Sequence, residues 1–275
     1  DQDSVDYNRW IPNTNPYNAT LSVQSAVWTI GMRNNQGFAF GNINGTDRMY
    51  GASHGPFSDD EVNLLEQQKN YGHPLVIGYS ADGNYNNAKP GPILSWFTLI
   101  TSEAANATAI GASYRDPMYS NYAAPVGPGV APWTPYYSIQ TIYQNPNFDT
   151  NPGQAGTQTP QNNNGMWWSE GYSGLGLYTN SIIPGWKNSL LFASLKWGRI
   201  GRMKLNSDGS DIQNGGAGGQ DTVSYFGGQN RFRDVAVSPN GKDIYVVMDR
   251  STSSSGPSAS NPIVPSCLGC LHKYT

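Results

Sequence analysis

The stretch Asp234-Val235-Ala236-Val237, Ser238-Pro239-Asn240-Gly241, Asp243-Ile244-Tyr245-Val246-Val247-Met248 decides the fold class. Two runs rich in β-branched residues flank a turn that holds Asn-Gly, and this pattern specifies a β-hairpin. Working outward, the pattern recurs. Gln36 to Phe40 and Arg48 to Ala52 flank a turn over Gly41-Asn42-Ile43-Asn44-Gly45, and Asn188 to Ala193 precedes Gly198 to Leu205. One segment has helical credentials: over Ser58 to Lys69, Ser58 stands as an N-cap with Glu61 three residues on, as in a capping box. Hairpins with few intervening helices read as an all-β chain built from propeller blades, although the irregular period leaves a sandwich open. Ser102 to Asn164 shows no periodicity and reads as a long irregular stretch, either functional or held by its own packing. The Gly-rich run Asn214 to Gln220 has no helix after it and reads as a surface turn rather than a phosphate loop.

Composition excludes several classes of function. Charged residues make up 13% of the 275, against roughly 25% in an ordinary domain. The net charge of −3 leaves no basic surface for a nucleic-acid backbone. Mean hydropathy is −0.53, and no apolar run approaches the roughly 18 residues of a membrane span. The polar opening Asp1-Gln2-Asp3-Ser4 carries no signal peptide and reads as a mature or trimmed chain. The two cysteines, Cys267 and Cys270, cannot complete a Cys-rich zinc site, and a short disulfide staple is expected. The sequons at Asn18, Asn44 and Asn106 point toward a secreted glycoprotein.

With charge this scarce, its clusters are informative. Arg33-Asn34-Asn35-Gln36-Gly37 sets a cation and three amides ahead of a strand; the plain reading is a polar loop. His54-Gly55-Pro56 through Asp59-Asp60-Glu61 offers carbonyl and carboxylate oxygens of the kind Ca²⁺ uses, or simply a solvated acidic turn. Lys196 beside Trp197 ends an apolar strand and, taken alone, is a surface lysine. Arg231 and Arg233 alternate onto one face of a strand. They suit a ligand with several carboxylates or phosphates, unless Asp234 and Asp249 neutralise them. The histidines His54, His73 and His272 show no partner at metal-ligand spacing.

Together these clusters resemble the soluble quinoprotein sugar dehydrogenases, the glucose/sorbosone dehydrogenase family of six-bladed β-propellers. The matching stretches run in family order: Ile11-Pro12 to Asn15-Pro16, then Trp28 to Gly37. His54-Gly55-Pro56 follows with Asp59 to Asn63, then Lys69-Asn70-Tyr71-Gly72-His73-Pro74. Pro184 to Asn188 comes next with Ser194-Leu195-Lys196, then Arg231 to Val235 through Gly241, and finally Asn261-Pro262 into Lys273-Tyr274-Thr275. The resemblance implies pyrroloquinoline quinone and Ca²⁺ as cofactors. It places Arg33 beside the reactive quinone carbonyl, where it stabilises developing negative charge. Asn34 and Gln36 would contact the cofactor. The carbonyls of Gly55 and Pro56 would hold the Ca²⁺ that polarises it. Lys196, Arg231 and Arg233 would bind its carboxylates and oxygens, and Trp168, or Trp167, would line its face or that of the sugar. A second Ca²⁺ would draw on Glu61, Tyr71, Asp82 and Glu103.

The family chain is considerably longer, and the resemblance begins partway through it. Residues 1–275 are therefore expected to form one partial propeller, covering roughly the later blades. The family's general-base histidine falls in the unmatched amino-terminal part, and none of His54, His73 or His272 takes its place. Base catalysis is worth roughly 10²–10⁴-fold, so the chain alone is expected to be weak or inactive, whether as a fragment, a chain completed by another polypeptide, or a diverged scaffold. The leading reading is a secreted, extracellular or periplasmic oxidoreductase. It takes the anomeric hydroxyl of an aldose to a lactone and passes electrons to an external acceptor, with no nucleic-acid partner. The alternative is a non-enzymatic propeller that binds a ligand or serves as a structural subunit of an extracellular assembly.

Overall fold

The computed structural model describes residues 11–12, 14–18, 25–55, 59–81, 83, 85–86, 100–121, 170–195, 198–213, 222–226, 231–250 and 267–275. Within them lie three antiparallel sheets, each a meander in chain order. The first holds β1 (Asn35–Ile43), β2 (Thr46–Ser53), β3 (Asp60–Leu64) and β4 (Tyr119–Asn121). The second holds β5 (Tyr172–Tyr178), β6 (Ser189–Ser194), β7 (Ile200–Lys204) and β8 (Thr222–Tyr225). The third holds β9 (Phe232–Val237), β10 (Ile244–Met248) and β11 (Leu271–Tyr274). The opening strands meet most extensively: β1 packs beside β5, and β5 beside β9. The chain is thus mostly β, with sheets stacked as in a propeller.

All three hairpins read from the sequence form. β1 and β2 join at Asn44-Gly45, both at positive φ (49° and 89°), as a two-residue hairpin loop requires. Gly241, at φ 72°, closes the β9–β10 turn. β6 explains the stacking: all six of its residues are buried. Leu190 and Phe192 face a core with Tyr50, Val62, Tyr172 and Met203, whereas Leu191 and Ala193 face one with Trp186, Phe232, Val246 and Met248. A strand covered on both faces reads as a continuous apolar run.

The expected helix over Ser58 to Lys69 is corrected to a strand. β2 offers β3 a register of Tyr50↔Leu64, Gly51↔Asn63, Ala52↔Val62 and Ser53↔Glu61, and Val62 and Leu64 are buried in it. Tertiary pairing overrides a four-residue capping pattern. The helix lies instead at α1 (Glu103–Ile110), inside the stretch read as irregular. Ser102 Oγ accepts the Ala105 N–H, and Gly111 at φ 77° ends it. The three sequon asparagines all donate their side-chain N–H to a carbonyl: Asn18 to Pro12, Asn44 to Ser207 and Asn106 to Leu75.

Candidate functional site

Each opening strand carries the same irregularity. In β1 the pairing passes from Asn35↔Ser53 to Gly37↔Ala52, in β5 from Tyr172↔Ser194 to Gly174↔Ala193, and in β9 from Asp234↔Val247 to Phe232↔Met248. The residues passed over are Gln36, Ser173 and Arg233. A β-bulge re-aims the side chain it carries. The three bulges lie side by side: a Cβ at Gly37 would stand 2.7 Å from the Leu175 nitrogen and 2.8 Å from the Gly174 carbonyl carbon, and one at Gly174 would stand 2.6 Å from the Asp234 Cα. Two of the three bulged residues, Gln36 and Arg233, are site residues expected from the sequence. The third, Ser173, went unnoticed. The quartets Asn34-Asn35-Gln36-Gly37, Gly171-Tyr172-Ser173-Gly174 and Arg231-Phe232-Arg233-Asp234 have no position in common to all three, so the sequence carries no signal for it.

On the first sheet, Arg33 is exposed and its Nη1 donates to the His54 carbonyl (3.0 Å). Gln36 Nε2 donates to Asn34 Oδ1 (2.6 Å). The Gly55 N–H donates to Asp60 Oδ1 (3.0 Å), and the other oxygen of this buried carboxylate takes the Gly171 N–H (2.8 Å). Asp60 thereby ties the Gly55 loop to the entrance of β5. His73 donates its backbone N–H to the Gly31 carbonyl (3.0 Å). Burial, then the neighbouring Arg33 charge, pushes its imidazole down to about 4, so it is neutral at ordinary pH.

On the third sheet, the Arg231 side chain is 5% exposed, and its Nη2 lies 3.4 Å from Asp249 Oδ2. Its Nε and Nη1 are buried without a hydrogen-bond partner among the described residues. Arg233, 44% exposed, reaches the same Asp249 oxygen at 2.5 Å. The plain reading of the pair is met halfway: Asp249 serves both guanidiniums, whereas Asp234 Oδ1 accepts the Val235 N–H. A buried guanidinium with open donors costs stability, and two cations sharing one carboxylate favour an anion. The donor set therefore fits a polycarboxylate cofactor.

Of the expected second Ca²⁺ residues, the three that are described, Glu61, Tyr71 and Glu103, are engaged within the chain. Glu61 accepts from the Gly78 N–H (2.9 Å) and Asn63 Nδ2 (3.0 Å). Burial pushes its carboxyl up to about 7 despite those bonds. Glu103 accepts from the Ile77 and Tyr85 N–H groups (2.9 and 3.0 Å). The Tyr71 hydroxyl donates to the Leu64 carbonyl, accepts from the Glu66 N–H (2.9 Å), and is pushed up to about 12 by burial. Glu61 and Glu103 thus accept from the consecutive amides of Gly78 and Ile77, while Tyr71 is held at the end of β3. Pro56, Asp82, Trp167, Trp168 and Lys196 lie outside the described residues.

The sequence profile of the family described as Glucose / Sorbosone dehydrogenase matches residues 6–110 and 134–255. The chain belongs to this family. It is 33% identical over 241 residues to quinoprotein glucose dehydrogenase B of Acinetobacter calcoaceticus, covering 87% of this chain and 45% of that protein. A shorter stretch of 73 residues, 26% of this chain and 19% of the relative, is 36% identical to aldose sugar dehydrogenase YliI of Escherichia coli (strain K12). Two solved glucose dehydrogenase structures superpose with TM-scores of 0.52 and 0.51 at 20% identity, covering 86% and 87% of this chain and 48% and 47% of theirs. They support the fold. The chain of this Glucose / Sorbosone dehydrogenase family member spans about half the length of the first of these relatives and of both structures. Among the described residues no helix is long and apolar enough to cross a membrane.

Proposed function

We propose that this chain is part of a secreted, six-bladed, quinone-dependent sugar dehydrogenase and supplies much of its cofactor pocket. The observation that carries this is Arg231, a buried guanidinium with two unmatched donors, next to Arg233 on a bulge. Arg231, Arg233 and Lys196 would hold the carboxylates of pyrroloquinoline quinone, and Asn34 and Gln36 its ring oxygens. Trp168 would cover the ring face, and the carbonyls of Gly55 and Pro56 would hold Ca²⁺. When bound, the quinone would supply a hydride acceptor for oxidation of the anomeric carbon of an aldose to a lactone, with the electrons passing on to an external acceptor. Arg33 would place a fixed positive charge where negative charge develops. Asp60 would keep the Gly55 loop in place through its two backbone amides. Neutral His73 would add no second positive charge beside Arg33. Glu61, Tyr71 and Glu103 would serve a second Ca²⁺ through the oxygen capacity their internal bonds leave, with Asp82 as a further ligand. Residues 1–275 would act as one unit of later blades.

The test is to titrate the full-length protein that contains this chain with the quinone and Ca²⁺, then follow dye reduction with a panel of aldoses. Losing two charge-assisted bonds at about 1.5 kcal/mol or more apiece weakens binding by about 100-fold, the effect expected for Arg231→Met. Binding without dye reduction for any sugar would remove the dehydrogenase reading from the chain. Quinone affinity unchanged in both Arg33→Ala and Lys196→Ala would favour a non-enzymatic ligand-binding propeller.

A further inference from the structure

The carboxy-terminal segment Cys267-Leu268-Gly269-Cys270-Leu271-His272 contains none of the residues assigned to the quinone. Its cysteines form a disulfide across a turn in which Gly269 adopts φ 67°. The turn is fixed to β10 by the Met248 N–H donating to the Cys270 carbonyl (2.7 Å) and the Gly269 N–H to the Asp249 carbonyl (3.4 Å). From Cys270 the chain enters β11, where exposure alternates, so Cys270, His272 and Tyr274 lie on one side. This strand period gives His272 the neighbours that its spacing in the sequence did not suggest. The two sulfurs and a His272 ring nitrogen all lie within 4.8 Å of one another, the sole grouping of its kind among the described residues. His272 Nδ1 also faces the Tyr274 hydroxyl at 3.4 Å, a partner that can orient the ring.

We propose that this segment, once reduced, is a metal site for a zinc-class cation, with Cys267 Sγ, Cys270 Sγ and a His272 nitrogen as ligands and water in the fourth position. Two sulfurs and one imidazole are a borderline-soft donor set that suits tetrahedral Zn²⁺ and not Ca²⁺, which takes oxygen. A dithiol reductant delivers two electrons and two protons to the sulfur pair, breaks the S–S bond and becomes a disulfide itself. Binding of M²⁺ then releases the two thiol protons as two S–M bonds form. The site is thereby coupled to redox state: oxidised it is a staple on an edge strand, reduced it is a three-ligand metal centre with one open position.

The experiment uses the whole chain, reduced with a phosphine, desalted anaerobically and titrated with Co²⁺, then with Zn²⁺ in competition. One Co²⁺ per chain is expected, with sulfur-to-cobalt charge-transfer absorption that Zn²⁺ abolishes and that the oxidised chain never shows. His272→Ala should weaken Co²⁺ binding by tenfold or more and move its visible bands, while Cys270→Ser should abolish the charge-transfer absorption. His272→Asn, which leaves both cysteines in place, provides a second test if Cys270→Ser fails to fold by circular dichroism. A reduced, folded chain that shows no charge-transfer absorption overturns the proposal, as does one whose Co²⁺ affinity and spectrum are unchanged in both His272 variants.

Discussion

The first and third sheets manage buried charge in opposite ways. On the first, and on the helix α1 that follows its third strand, Asp60 and Glu103 are fully buried carboxylates, and each accepts from two backbone amides: Gly55 and Gly171 for Asp60, Ile77 and Tyr85 for Glu103. On the third, Arg231 is as deeply placed, yet it shares one carboxylate with Arg233 and has two donors without a partner among the described residues. The first arrangement is complete within the protein and holds the loops in place. The second is left open among the described residues, and the anion proposed above would complete it. Depth of burial alone therefore does not distinguish a structural charge from a binding one; the count of matched hydrogen bonds does.

The contrast can be broken at either end. The largest effect is expected for Asp60→Ala, which strands two amides across the junction of the first two sheets and should cost about 4 kcal/mol in urea denaturation. Gly174→Ala places a methyl group against the Asp234 backbone between the two regions. It should cost about 2 kcal/mol and also weaken quinone binding, because the bulge bearing Arg233 must shift. Arg231→Met should leave the stability of the unliganded chain within about 1 kcal/mol, or raise it, since it removes only the long 3.4 Å pair with Asp249, a carboxylate that Arg233 still holds; a loss of several kcal/mol in the same denaturation assay would show that Arg231 is structural.

A pH series separates two further groups. Glu61, held near 7 when folded against an ordinary carboxylate near 4.3, binds more protons folded than unfolded between those values. Its contribution is most favourable at acid pH and declines until pH passes about 7. His73, held near 4 against an ordinary value near 6.5, has the opposite sign. Its contribution is full above about 6.5 and is lost as pH falls toward 4. Measured in chelator, Glu61→Gln should therefore remove a downward slope of stability with rising pH, and His73→Gln an upward one, each at most about 1.4 kcal/mol per pH unit. The smallest effect is expected for the half-exposed Arg233: substitution by alanine should change thermal stability by about 0.5 kcal/mol or less.

Much of the scaffold is legible because hairpins are local. Asn44-Gly45 and Asn240-Gly241 carry their turn chemistry with them, and their strands follow. β3 was misread because its pairing with β2 is a tertiary fact, while Ser58 and Glu61 happen to sit at capping-box spacing. α1 was legible and overlooked: Ser102 at its start, four alanines within it and Gly111 at its end are ordinary helix signals. At the candidate site, the clustering of rare cations exposed Arg33, Arg231 and Arg233. What the sequence could not reveal was that Arg231 is buried with open donors, that Asp60 bridges two sheets 111 positions apart in its bond to Gly171, or that a strand register sets His272 beside the cysteines. Each depends on elements brought together only by folding.

The near-contact of the opening strands at Gly37 and Gly174 also fixes a curvature. Stacked sheets with full-sized side chains ordinarily stand about 10 Å apart. Where two strands meet backbone to backbone, the sheets must converge at that edge and splay toward the other, so each forms a wedge. The wedge angle follows from the side-chain volume missing along the opening strands, at Gly37 and Gly174 and also at Gly41 and Gly176, and it governs how far the chain turns with each sheet added. A bulkier residue at Gly37 or Gly174 would therefore do more than crowd its neighbour: it would flatten the arc, and every later sheet, with the Arg231 and Arg233 charges it carries, would swing away from Arg33.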